Sequence, residues 1–148
     1  MSNKHVPLIS SGVSGPLGLL HLPRLWQKGL LGALGKLADG YTDIGPGYDH
    51  MVLGAIGVDA EKAKAYIRAS KPTYTQFEAW IKAYPGVNLS KATVFASNAA
   101  VAGYIHADEV RKGILAANGL TDDGSVNPGA IDLNNLDDWS EFHRSVTA

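Results

Sequence analysis

The clearest hydrophobic pattern in the chain runs from Leu22 to Leu37. Leu22, Leu25, Trp26, Gly29, Leu30, Ala33, Leu34 and Leu37 recur at the three-and-four spacing of a helix, while Arg24, Gln27 and Lys28 fall opposite them. This predicts an amphipathic helix over 22–37 whose apolar stripe the other helices must cover, placing it at the centre of the fold. Pro23 marks its start, because a proline in the first turn gives up only an N–H that would have been unpaired anyway. Gly29, Gly32 and Gly35 each cost about 1 kcal/mol against alanine inside a helix. Spaced by three, they form a ramp along one edge of the stripe, where a second helix or a ligand can approach the backbone; close helix packing is the plainer account.

The same reading carries along the chain. Residues 1–21 are rich in Ser, Gly and Pro and read as an extended arm, with Val6, Leu8, Leu17, Leu19 and Leu20 available to pack. After the first helix, Asp39 to His50 form a bent loop in which Asp39-Gly40 and Gly45-Pro46-Gly47 force turns. Asp49 is expected to cap a short helix from His50 to Ile56, and Asp59 to cap another that Pro72 stops after Ser70. Thr73 and Gln76 make a capping-box pair for a helix bearing Tyr74, Phe77, Trp80, Ile81 and Tyr84, terminated at Pro85-Gly86. Ser90 or Asn88 opens an Ala-rich helix to about Gly103, Asp108 is the expected cap of a helix closed by Asn118-Gly119, and Asn135 of a last one. That last helix is expected to carry Asp137 and Asp138 in its first turn and Leu136, Trp139, His143 and Val146 on one face. No strand alternation competes, so the fold class is all-α: a compact bundle of about six short helices, a single domain over 1–148.

Composition narrows the function classes. A chain of 148 residues is long enough to bury a core without a staple, and it holds no cysteine, which removes thiol chemistry and fits a reducing, cytoplasmic compartment. The formal charge of −1 gives no basic field for nucleic acid or an anionic membrane. No apolar run approaches a membrane span, and the interrupted apolar residues from Val6 to Leu20 do not read as a secretion signal. Charge is nonetheless unevenly placed. Residues 1–38 carry four cations and no acid, whereas residues 121–148 carry six acids against Arg144. The two ends should attract, drawing the last helix towards the first.

The segments Leu22-Pro23-Arg24-Leu25-Trp26-Gln27-Lys28, Gly40-Tyr41 to Gly47-Tyr48-Asp49, Tyr74 to Trp80 and Asp132 to Trp139 resemble the bacterial family catalogued as domain of unknown function 5069. The resemblance extends over nearly the whole chain and implies a single domain. It implies no activity, substrate or cofactor.

Familiar catalytic motifs are missing. Gly45-Pro46-Gly47 begins like a dinucleotide loop, but His50 occupies the third glycine position and no strand precedes it. The Asp122 segment fails as a calcium loop, with Gly124 and Leu133 at ligand positions, and neither a Walker lysine nor a Gly-x-Ser-x-Gly elbow occurs. What remains is a constellation on the bent loop. Tyr48, Asp49 and His50 are the candidate catalytic residues, with His21, Arg24 and Tyr41 as candidate ligand contacts, Arg24 suiting an anionic group. The plainer account makes Asp49 a cap, Arg24 a solvated side chain and the tyrosines half-buried wedges. His106 and Asp108, with His50 or His143, lack the close spacing of a metal site, so no metal or cofactor is assigned. The resulting expectation is a small enzyme or binding protein for a small metabolite, with its pocket between the first helix and the 39–50 loop. The alternative is a non-enzymatic protein that assembles through its aromatic helix faces, and a homo-oligomer is compatible with either.

Overall fold

A computed structural model of the protein describes residues 3–148, which form seven helices and no sheet. These are α1 (Leu22–Ala33), α2 (Tyr48–Ala55), α3 (Ala60–Ser70), α4 (Tyr74–Ala83), α5 (Lys91–Gly103), α6 (Asp108–Ala117) and α7 (Ala130–Thr147). Several starts follow the expected chemistry. Asp59 accepts from Lys62 N at 3.0 Å, Thr73 and Gln76 close a reciprocal capping box, and Ser90 accepts from Thr93 N at 3.2 Å.

α1 is shorter than its apolar pattern. Gly35 turns into the left-handed region at φ 66°, Lys36 N reaches back to Leu31 O at 2.8 Å and Gly35 N to Gly32 O at 3.2 Å, a paired hydrogen-bond signature that stops the helix. The three glycines therefore serve different ends. A Cβ on Gly29 would press on Ile67 of α3, one on Gly32 would run into Asp43 of the following loop, and Gly35 is the terminating residue.

α1 packs on α2, α3 and α4, and α7 packs on α5 and α6. The larger core lies beneath α1, α3 and α4: Leu19, Leu22, Leu25, Ile56, Ile67, Phe77 and Ile81 are fully buried there. Each such side chain contributes about 1.5–3 kcal/mol relative to exposure. A smaller cluster joins Tyr48 and Val52 of α2 to Val101 of α5 and Ala130 of α7. The arm is tied down by His5, whose N–H donates to Lys36 O at 2.6 Å and whose carbonyl accepts from Ala38 N at 3.0 Å.

Three expected caps are corrected. α2 begins a residue before Asp49, with Gly47 at its N-cap, so the Asp49 carboxylate is free to leave the helix end. α6 has Ala107 at its N-cap, and Asp108 instead pairs with Arg111 at 2.8 Å. α7 begins at Ala130, because Asn127 receives Gly129 N at 2.8 Å and builds the turn that leaves Gly129 at the N-cap, six residues before Asn135. With that register Ala130, Leu133 and Asp138 face the body, while Trp139 and Val146 remain about 60% exposed (61% and 62%).

Candidate functional site

The functional geometry begins with a strained residue. His21, the N-cap of α1, has φ 76°, a left-handed conformation that a non-glycine side chain adopts only when its surroundings hold it. They do so on both ring nitrogens: Nε2 lies 2.6 Å from Asp49 Oδ1, and Nδ1 lies 2.9 Å from Ser11 Oγ. Burial pushes the His21 pKa below its ordinary value, and the hydrogen bond and charge of Asp49 offset only part of that. The imidazole is thus neutral, with Nε2–H donating to Asp49 and Nδ1 accepting from the Ser11 hydroxyl. Ser11 is buried and lies outside the cleft wall. This order of Ser, His and Asp is therefore a brace between arm, α1 and α2.

Asp49 is the centre of that brace. Its second oxygen accepts from Lys28 Nζ at 2.7 Å and from Gly45 N at 3.0 Å. Burial alone would raise its carboxyl, but the His21 hydrogen bond and the Lys28 charge outweigh this and hold it below the usual carboxylate range. Gly47 makes the approach feasible, since φ 90° with ψ −133° is a conformation reserved for glycine. The loop before it is anchored to α3 by Asp43, which meets Arg68 at 2.8 Å and Lys64 at 3.3 Å.

A second brace runs from α1 to α7. Arg24 Nη1 and Nη2 donate to the two oxygens of Asp138 at 2.6 and 3.0 Å, and Nη1 also reaches the carbonyls of Pro7 and Ile9 at 2.8 and 3.0 Å. Tyr41 Oη donates to Asp138 Oδ1 at 2.9 Å. Burial raises the Asp138 carboxyl despite Arg24, and burial together with the Asp138 charge raises the Tyr41 hydroxyl. Arg24 is accordingly a buried guanidinium already paired with a carboxylate.

Between the two braces lies a cleft of about 360 Å³. α1 contributes Arg24 and Lys28 to its wall, the loop Tyr41 and Gly47, α2 Tyr48 and Asp49, the α5–α6 turn Tyr104 and His106, and α7 Asn134, Asp137 and Asp138. Tyr48, with its ring 5.1 Å from His21 and 5.2 Å from Tyr104, gives its hydroxyl to Val101 O at 2.8 Å; burial pushes its pKa up to about 12. The Tyr48 hydroxyl and both Asp49 oxygens are thus spent within the protein. His106 Nε2 lies 2.8 Å from Asn134 Oδ1, to which it donates. Among the described residues no hydrogen bond holds Asp137, and its carboxyl is raised by burial and by the neighbouring Asp138 charge.

Of the six residues singled out from the sequence, five converge here: His21, Arg24, Tyr41, Tyr48 and Asp49. His50 is exposed on α2 and does not line the cleft. Reading the sequence missed Tyr104, Asn134, Asp137 and Asp138 as wall residues, and paired His106 with Asp108. Those two diverge, His106 to Asn134 and Asp108 to Arg111. Among the described residues no group of three His, Asp or Glu side chains is placed to hold a metal, and no helix is long and apolar enough to cross a membrane. Of the aromatic side chains on α4, Phe77 is fully buried, whereas Trp80 is partly buried and lies 4.9 Å from Tyr66 in a stack. A second depression of about 350 Å³ beside Trp80 is lined only by Lys62, Trp80, Ala83, Tyr84 and Pro85.

No family model, curated protein or solved structure matches this chain.

Proposed function

We propose that the protein binds a small polar metabolite in the cleft between α1, the 40–49 segment, the α5–α6 turn and α7. The observation that carries this reading is the double bracing of the wall. Buried Asp49 and Asp138 lock residues distant in the chain into one concave, polar surface, and such preorganised pockets with a few placed polar groups are where small ligands bind. If turnover occurs there, His106 and Asp137 are the residues to carry protons, since Tyr48, Asp49 and His21 are committed to internal hydrogen bonds. Membership of the domain of unknown function 5069 family, proposed on the segments quoted above, adds no chemistry to this. The cysteine-free chain fits a reducing compartment, and we place the protein in the bacterial cytoplasm.

A thermal-shift screen against a metabolite library tests the reading. A ligand at about a hundred times its Kd stabilises by about 2.7 kcal/mol. The response should be lost in Asn134→Leu, which fills the wall without touching either brace.

One observation favours a second reading, assembly through helix faces: Trp139, Phe142 and Val146 of α7 are exposed at 61%, 45% and 62% and lie on one side of the helix. Light scattering at rising concentration tests it, with Trp139→Ser as the variant that should abolish any dimer.

A further inference from the structure

The charges on the cleft wall are unequal in number and in freedom. Arg24 and Lys28 face Asp49, Asp137 and Asp138. Both cations are already taken, Lys28 by Asp49 at 2.7 Å and Arg24 by Asp138 through two hydrogen bonds. An anionic ligand would have to share Lys28 with Asp49 or Arg24 with Asp138, competing with a buried carboxylate that is already in place. Arg24 is thus withdrawn from the anion-binding role that the sequence suggests for it.

Asp137 is the converse case. Among the described residues no hydrogen bond holds it, and it feels Arg144 and Arg24 only at longer range, while burial and the nearby Asp138 and Glu141 charges disfavour its ionised form. In the same wall stands the Tyr104 ring, 39% exposed and packed edge to face on His106 at 5.9 Å. A carboxylate without a hydrogen-bond partner and a partly exposed aromatic ring in the lining of one cleft are the pairing that receives an organic cation, by charge from the one and by the ring quadrupole from the other.

Resting on the reading of this cleft as a ligand site, we propose that its ligand carries an ammonium or amidinium group, received between the Asp137 carboxylate and the Tyr104 ring. The neutral remainder of the ligand then meets the Asn134 amide and the His106 ring. The volume of about 360 Å³ suits a molecule of roughly metabolite size.

Three matched probes test this: benzylammonium, benzyl alcohol and benzoate, titrated to about 10 mM into ¹⁵N-labelled protein while the backbone amides are followed. Benzylammonium should shift the amides of Gly47, Tyr104 and Asn134 with an affinity about tenfold above that of either other probe. Asp137→Asn, which breaks no hydrogen bond of the fold, should erase that preference and leave benzyl alcohol unchanged; Asp137→Glu should keep it. Benzoate binding best, equal binding of all three, or an ammonium preference that survives Asp137→Asn would each overturn the cation inference while leaving the cleft a ligand site. Failure of all three probes to shift these amides would count against both.

Discussion

Arg24 and Asp138, 114 residues apart, form a two-pronged ion pair at 2.6 and 3.0 Å with side chains only 7% and 3% exposed. This pair is the main link between α1 and α7. Because it is buried, its worth lies in what breaking it exposes. Asp138→Ala should cost about 3–5 kcal/mol in chemical denaturation, since Arg24 would be left charged and unpaired. The double change Arg24→Met with Asp138→Leu should recover most of the loss. A loss below about 1 kcal/mol for Asp138→Ala would mean that the guanidinium finds water instead.

His21 makes stability depend on pH. Its folded pKa lies below the ordinary value of 6.5, so on acidification through 6.5 the unfolded chain takes up a proton that the native state refuses, and stability falls. For one proton the slope approaches about 1.4 kcal/mol per pH unit. Asp49, whose folded pKa is depressed, acts in the same direction lower down: its contribution is full above 3.8 and lost as pH falls through the native value. The raised carboxyls of Asp137 and Asp138 act oppositely above 3.8. Asp137 and Asp138 are common to wild type and His21→Gln, and Asp49 is ionised in the folded and unfolded wild type near pH 6, so the difference between the two urea-unfolding profiles should show the His21 slope there.

Tyr48→Phe is expected to act on stability rather than on ligand binding. The hydroxyl points to Val101 O at 2.8 Å, so its removal weakens a buried hydrogen bond between α2 and α5 at a cost of about 1 kcal/mol. Ligand affinity should stay within about twofold of wild type. A stable variant that no longer binds would restore Tyr48 as a ligand contact.

Trp26 is half-buried; its Nε1–H donates to Pro72 O at 2.9 Å and its ring meets the Tyr74 edge at 5.7 Å. Trp26→Ala should therefore cost about 3 kcal/mol, the lower end for a large aromatic. Trp26→Phe should cost about 1 kcal/mol for the hydrogen bond alone. Denaturant midpoints at unchanged slope measure both.

The sequence was most informative where structure is local. The Thr73–Gln76 box, the Asp59 cap and Pro23 depend on neighbours within a turn, so residue type and spacing define them. Caps that compete with tertiary partners were misread: Asp49 is drawn off the α2 start by His21 and Lys28, and Asn135 is passed over because Asn127 starts the helix earlier. Arg24 falls on the polar side of the α1 pattern yet is buried, because its partner sits more than a hundred residues away and no periodicity in α1 encodes it. The opposing charges of the two ends were the only sign of that contact. Tyr104, Asn134 and Asp137 left no local signal, for a cleft wall is assembled by topology.

On the proposed reading, the cleft between the two braces is where this protein meets a small molecule. The most direct test is the site of binding of the best hit from the metabolite screen, mapped by amide chemical shifts at saturation. Gly47, Tyr104 and Asn134 should then move together, with Trp80 and Tyr84 unaffected. Shifts confined to the Trp80–Tyr84 depression, or to Trp139 and Phe142 on α7, would contradict it.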